Sequence, residues 1–265
     1  MTPRTYLANI GANSSHPYAS PLFEDGAFEL LPIPERPASA GRNSVLLGGL
    51  TSWNDAARPL RRWIPQGLWR APAHLDPEFE TLTYGDNCER APRAAALKRV
   101  VPGDLILFIA RLEAWADGAF TGQAGFFLVG FLEVEAVLPC VRGRPVEGAL
   151  QRFRANAHVR KGMNEARLWD GFWVFGGSAR SCRFRRAVPV DRALAERVFV
   201  TSGGAPWRWD GGRSELQVIG SYTRTCRCII EPGSHGAAAR LAALQQRIEE
   251  FNPGVDPWQP RDQRS

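Results

Sequence analysis

Residues 105–112 are apolar on both faces, the pattern of a strand buried from either side rather than of one lying on water. Residues 125–135 form a second apolar run, and their last third alternates apolar with acidic, so one face there meets solvent. Ala116-Asp117-Gly118 between the two runs reads as a turn. Residues 6–11 and 171–176 predict two further short strands, and 28–31 another after the Asp25-Gly26 turn. Residues 216–222 and 226–230 predict two strands near the end of the chain. Helical spacing is clearest at 236–251, where Leu241, Leu244, Ile248 and Phe251 recur every three or four positions. Shorter helices are expected at 91–100, with Pro92 in its first turn, and at 191–198. Residues 13–21, 36–80 and 178–186 read as loops, the second anchored by Trp53, Trp63 and Trp69. From Asn252 onward the prolines predict a poorly ordered tail.

With 26 glycines and 20 prolines in 265 residues, the chain is no helical bundle; many turns join short strands. The expected class is α+β, a curved mixed sheet or a small β-barrel with flanking helices and long loops. No internal repeat or composition break divides it. We expect one domain over residues 1–235, and a C-terminal helix with a flexible tail over 236–265. No basic-then-apolar leader and no membrane-length apolar run is present, so a cytoplasmic protein away from the membrane is expected. Five scattered cysteines lack the two paired sets of a structural zinc site and are expected to be reduced thiols.

Charge changes this picture. Of the 33 basic residues only Lys98 and Lys161 are lysine, which fits either a codon bias or the forked recognition of phosphate by guanidinium. Their position is uneven. Residues 152–186 hold nine basic and two acidic side chains, nine minus two giving +7, against +6 for the whole chain. Arg152, Arg154, Arg160, Arg180, Arg183 and Arg185 in this segment alternate with Phe153, Trp169, Phe172, Trp173 and Phe175. Guanidinium for phosphate and flat rings for bases suit an exposed or extruded nucleotide, with Trp169 and Trp173 as stacking candidates. The alternative is a core of rings beneath a solvated basic face.

Asn156-Ala157-His158-Val159-Arg160 is the sharpest local constellation. Read as extended chain, it sets an amide, an imidazole and a guanidinium on one side, able to read a base edge or to supply an acid/base. Asp86, after Tyr84-Gly85, is a general base or a cap to the helix that follows. Asp104 fixes its own turn. Ser178-Ala179-Arg180-Ser181 has hydroxyls and amides beside an arginine, suited to phosphate, and Ser221-Tyr222-Thr223-Arg224 repeats that combination. A P-loop, a G-x-S-x-G elbow, an H-E-x-x-H helix, the zinc-deaminase pattern and a dinucleotide fingerprint are all missing. No metal and no cofactor is therefore expected.

Several stretches, in order, resemble the prokaryotic and phage family of nucleotide modification associated domains, type three. They are Ser20-Pro21-Leu22-Phe23-Glu24-Asp25-Gly26, Pro32-Ile33-Pro34-Glu35, Tyr84-Gly85-Asp86, and Pro102-Gly103-Asp104 leading to Phe108 and Arg111. Gly125 to Gly130, Asn156 to Arg160, and Gly220-Ser221-Tyr222-Thr223-Arg224 complete the set. The resemblance covers about residues 5–230 and implies an association with DNA base modification or its recognition; it also draws Arg111 and Tyr222 into the candidate set. Residues 101–137 separately resemble the core strands of PUA, ASCH and EVE domains, which implies a small PUA-like β-barrel that binds RNA or modified bases. Recognition is the first reading and an enzyme the alternative, since the lack of a cofactor or metal motif leans against catalysis. The first is a module that recognises a modified or extruded base. The other is an enzyme that modifies or excises a base with His158 or Asp86 as acid/base. The partner in either is nucleic acid, DNA rather than RNA, or a nucleotide.

Overall fold

The computed structural model describes residues 2–36, 44–209 and 211–259. Its spine is a hairpin of β6 (Leu105–Ala116) and β7 (Ala119–Val141), built from the two longest apolar runs. Asp117 and Gly118 both take positive φ at its tip (51° and 82°), the conformation that matches strand twist across a two-residue turn. Along β6 the side chains alternate between two cores, as the period of a strand requires. Leu105, Leu107 and Ile109 enter one; Ile106, Phe108 and Ala110 enter the other. The stretch Leu105–Ala110, buried on both faces, needs no polar positions, which is why it shows none.

On one side of β6 lies β1 (Thr5–Ile10), parallel to it, and beyond that β10 (Arg227–Ile230), antiparallel to β1. On the other side, β7 runs on from β6 to β8 (Phe172–Gly177), which pairs with β5 (Thr83–Asp86) at the edge. β2 (Ser20–Leu22) joins the end of β6 in parallel, and β9 (Cys182–Pro189) joins β7. These eight strands form one mixed sheet that does not close into a barrel. β3 (Ile33–Pro34) and β4 (Ala73–His74) make a separate two-stranded ladder.

Helices flank the sheet. α1 (Glu147–Phe153) and α2 (Ala157–Asn164) pack on β8 with Val159, Trp169 and Phe172. α3 (Arg192–Val198), α4 (Glu215–Tyr222) and α5 (Ala237–Phe251) cover the face of Leu105, Leu107 and Phe131. A 3-10 helix over Pro92–Arg99 closes the opposite face with Ala94 and Leu97.

Four expectations need correcting. Residues 216–222 are helical, because Ser214 and Gln217 form a reciprocal capping box that starts α4 and its apolar residues face the core at helical spacing. Residues 28–31 contribute only a single bridge, Phe28 to Leu22, and much of the 178–186 loop is strand β9. Residues 252–259 pack rather than trail. Asn252 accepts the backbone N–H groups of Arg185 and Arg186, and the Trp258 indole donates to Thr5 Oγ1. Residues 260–265 of the expected tail lie outside the described residues. All five cysteines are free thiols, and no helix among the described residues is long and apolar enough to cross a membrane.

At Gly130, where β7 leaves register with β6 and β9, a Cβ would stand 2.6 Å from the Cys182 carbonyl oxygen. The obstacle is paired backbone, which cannot step aside. Gly130→Ala is expected to cost about 2 kcal/mol, typical of overpacking, read as a lower midpoint in urea unfolding.

Candidate functional site

A cleft of about 790 Å³ opens where β1 and β5 end, between the β3–β4 ladder and the start of α2. At its floor stands Asp76, two residues past β4, with a side chain only 2% exposed. Gly85 N–H donates to both carboxylate oxygens, at 2.9 and 3.0 Å, and the Asn156 amide lies 3.4 Å from Oδ1. Two imidazoles converge on Oδ2: His158 Nε2 at 3.4 Å and His74 Nε2 at 3.8 Å. Their rings meet edge to face, 5.0 Å between centres. Behind His74, Nδ1 lies 2.7 Å from Glu35 Oε1, and Lys161 Nζ lies 3.1 Å from the same oxygen.

Burial of His74, reinforced by the neighbouring His158, holds its pKa below the usual imidazole value although Glu35 opposes this. Burial alone would raise Glu35; the His74 hydrogen bond and the Lys161 charge outweigh it and hold the carboxyl below its usual range. Across the cleft Asp86 is fully engaged. It accepts from Tyr84 Oη (3.1 Å), Arg93 Nη2 (2.8 Å) and Asn87 N (2.7 Å). Burial raises the Tyr84 phenol well above its ordinary pKa, so it remains a hydrogen-bond donor, and pushes the Cys226 thiol up to about 12. Exposed Arg36 and Arg224 and half-exposed Arg93 stand at the rim. Glycine at position 85 is required by this packing: a Cβ there would stand 2.8 Å from His158 Cδ2 and 3.0 Å from Asn156 Oδ1.

The family model for nucleotide modification associated domain 3 matches residues 4–196. The chain belongs to this family. Membership assigns it a role in nucleotide or DNA modification and leaves recognition and catalysis both open. Comparison with curated proteins and with solved structures found no match. The family match takes in Glu35, His74, Asp76, Asp86, His158 and Lys161, whereas Thr223, Arg224 and Cys226 on the far wall lie beyond it.

Of the residues singled out from sequence, the fold brings His158, Asn156, Asp86 and Arg224 to this cleft. Asn156 reaches it as the N-cap of α2, its Oδ1 accepting from His158 N. The segment 156–160 is thus the start of a helix, not extended chain. Two residues turn a helix through about 200°, which separates Arg160 from His158; Arg160 faces a small pocket with Ser44 and Asn164. Ser178 and Arg180 both bind Glu133, and Arg180 also donates to the carbonyls of Asp256 and Pro257. Arg183 is buried against Phe28 and Glu29. Arg185 is exposed on β9, away from the cleft lining. Trp169 packs on Phe172 inside the α2–β8 core, and the Trp173 indole donates to Glu89. Tyr222 lies in the α4 core, stacked on Phe199 with 3.7 Å between ring centres. Arg111 pairs with Glu113 at 3.8 Å and lines a second groove with Trp63 and Trp115.

Sequence reasoning passed over His74, Asp76, Lys161 and Arg93, and it quoted Glu35 without giving it a role. The signal for His74 and Asp76 was an H-x-D spacing inside a segment that reads as loop. Nothing local says that α2 and β3 will close around it.

Proposed function

We propose that this protein is an enzyme acting on a nucleobase or nucleotide, in DNA or free, held in the 790 Å³ cleft. The observation that carries this reading is the convergence of two imidazoles on one buried carboxylate at the floor of the cleft, beneath a rim of arginines. Arg36, Arg93 and Arg224 suit a phosphate at the mouth. His158, oriented by Asp76 and by the first turn of α2, faces the bound base and exchanges a proton with it. Asp86 holds Arg93 in place and is not the base, because its oxygens are already taken by three donors.

Recognition without chemistry would call for flat rings around an extruded base. Neither Trp169 nor Trp173 lines the cleft, so the site is better furnished for proton transfer than for stacking. In this reading the chain works in the cytoplasm as one unit, with residues 236–259 buttressing the sheet.

The test is nucleoside mass spectrometry after incubating the protein with DNA oligonucleotides and with free nucleotides, alongside His158→Ala. A changed or released base with wild type, lost in the variant while ligand binding persists, is the expected result. Tight binding with no chemical change in any substrate would overturn the enzymatic reading in favour of recognition.

A further inference from the structure

We propose that His74 Nε2, Asp76 Oδ2 and His158 Nε2 form a binding site for one first-row divalent transition-metal ion. This deepens the proposed function by naming a cofactor class for the same cleft; with the ion bound, His158 Nε2 would be a ligand and the ion's open side, not His158, would carry the acid/base role, so the proposal rests on that reading only for the ion's use, not for its binding.

The three donor atoms lie within 4.8 Å of one another and come from two separate parts of the chain, the end of β4 with the turn after it and the first turn of α2. Their arrangement leaves a mismatch that a cation resolves. Carboxylates only accept, so the 2.7 Å contact between His74 Nδ1 and Glu35 requires the proton on Nδ1. Nε2 of a neutral His74 is then a bare lone pair, facing Asp76 Oδ2 at 3.8 Å. Two acceptors pointed at each other in a buried place repel unless a positive centre lies between them. Lys161 does not supply that centre, since it sits on the Nδ1 side, on Glu35.

The surroundings are those of a metal site. Glu35 behind His74 is the carboxylate that fixes a ligating imidazole's tautomer and raises its basicity. Asp76 is oriented by Gly85 N–H and Asn156, and His158 by the capped first turn of α2. Glu35 and Asp76 against Lys161 leave one unbalanced negative charge around the donors, favourable to a cation. Two imidazoles and one carboxylate select zinc, iron(II), cobalt(II) or their neighbours over magnesium and calcium, which prefer oxygen. Three protein ligands leave the cleft side of the ion open to water or substrate.

The experiment strips the full-length protein with chelator and titrates it with Zn²⁺ against a chromophoric competitor, and with Co²⁺ by visible absorption. One equivalent is expected to bind wild type, with a Co²⁺ spectrum showing nitrogen ligation. His74→Ala, Asp76→Ala and His158→Ala should each weaken binding by about 100-fold or more, and Glu35→Gln by about 10- to 100-fold. His16→Ala, elsewhere on the cleft wall, should leave it unchanged. Circular dichroism checks the fold, and Asp76→Asn or His158→Gln replaces any alanine variant that does not fold. Zn²⁺ binding to wild type no tighter than to the His74→Ala/His158→Ala double variant would overturn the proposal, as would equal weakening by His16→Ala. Base chemistry that persists in excess chelator would remove the metal and leave the enzymatic reading standing. Stoichiometric metal with no chemistry would do the reverse.

Discussion

Asp76→Asn is expected to lower turnover by at least about 100-fold, the range of losing a positioned acid–base arrangement, with the fold and nucleotide binding retained. The substitution is isosteric. The amide oxygen can still accept from Gly85 N–H, which now reaches both carboxylate oxygens. What disappears is the negative charge that His74 and His158 share at 3.8 and 3.4 Å. An amide N–H group aimed at His158 Nε2 would also occupy the lone pair with which that nitrogen would bind the proposed metal ion. Single-turnover rates together with equilibrium binding of the same nucleotide separate this outcome from a general loss of structure. A variant that turns over at the wild-type rate would remove Asp76, and the cluster built on it, from the mechanism.

Glu29→Gln should be the most destabilising conservative substitution at a charged residue, costing about 3–5 kcal/mol, the usual cost of removing one partner from a buried ion pair. Glu29 is 1% exposed and accepts from Ser52 Oγ and Trp53 N–H. Arg183 Nη2 lies 3.6 Å from it, donates to the Phe28 carbonyl at 2.6 Å and spreads its guanidinium over the Phe28 ring. Burial already pulls Arg183 down to about 10 against the pull of Glu29. Without that carboxylate the guanidinium is a buried charge with only a carbonyl and ring faces around it. Urea unfolding measures the loss. The double variant Glu29→Leu/Arg183→Leu should recover most of it, since apolar replacements of a buried pair are commonly neutral or better. A cost under 1 kcal/mol for the single variant would show that water reaches this pair.

Arg183 also shows why the local charge surplus was a poor guide to a surface. The +7 of residues 152–186 is a property of the linear chain. In space Arg152 meets Glu135, Lys161 meets Glu35, Arg180 meets Glu133 and Arg183 meets Glu29, carboxylates that all come from outside the segment. Much of the surplus is thereby neutralised on folding, and the arginines at the cleft rim come instead from positions 36, 93 and 224.

What could be read without the structure was whatever one element decides by itself. An apolar run with no polar face predicts a strand buried on both sides, and Leu105–Ala110 of β6 is one. Asp-Gly between two such runs must turn, and it does at Asp117 and Gly118. The spacing of Leu241, Leu244 and Ile248 needs no neighbour to be helical. The ordered set of short motifs pointed to the family that the comparison shows. Where two conformations satisfied the same apolar pattern, as at 216–222 and at 156–160, caps and packing chose the helix.

The site belonged to the other class. His74, Asp76, Glu35 and His158 lie on the β3–β4 ladder, the turn after it and the first turn of α2. All but His158 are unremarkable among their sequence neighbours. Hydrophobic pattern determined the β6–β7 hairpin, β1, β8 and β10, the best helix and the mixed α+β class, because burial acts on each segment through its own periodicity. Only the tertiary structure decided which polar side chains meet, because that depends on the relative placement of segments whose own periodicities carry no record of one another.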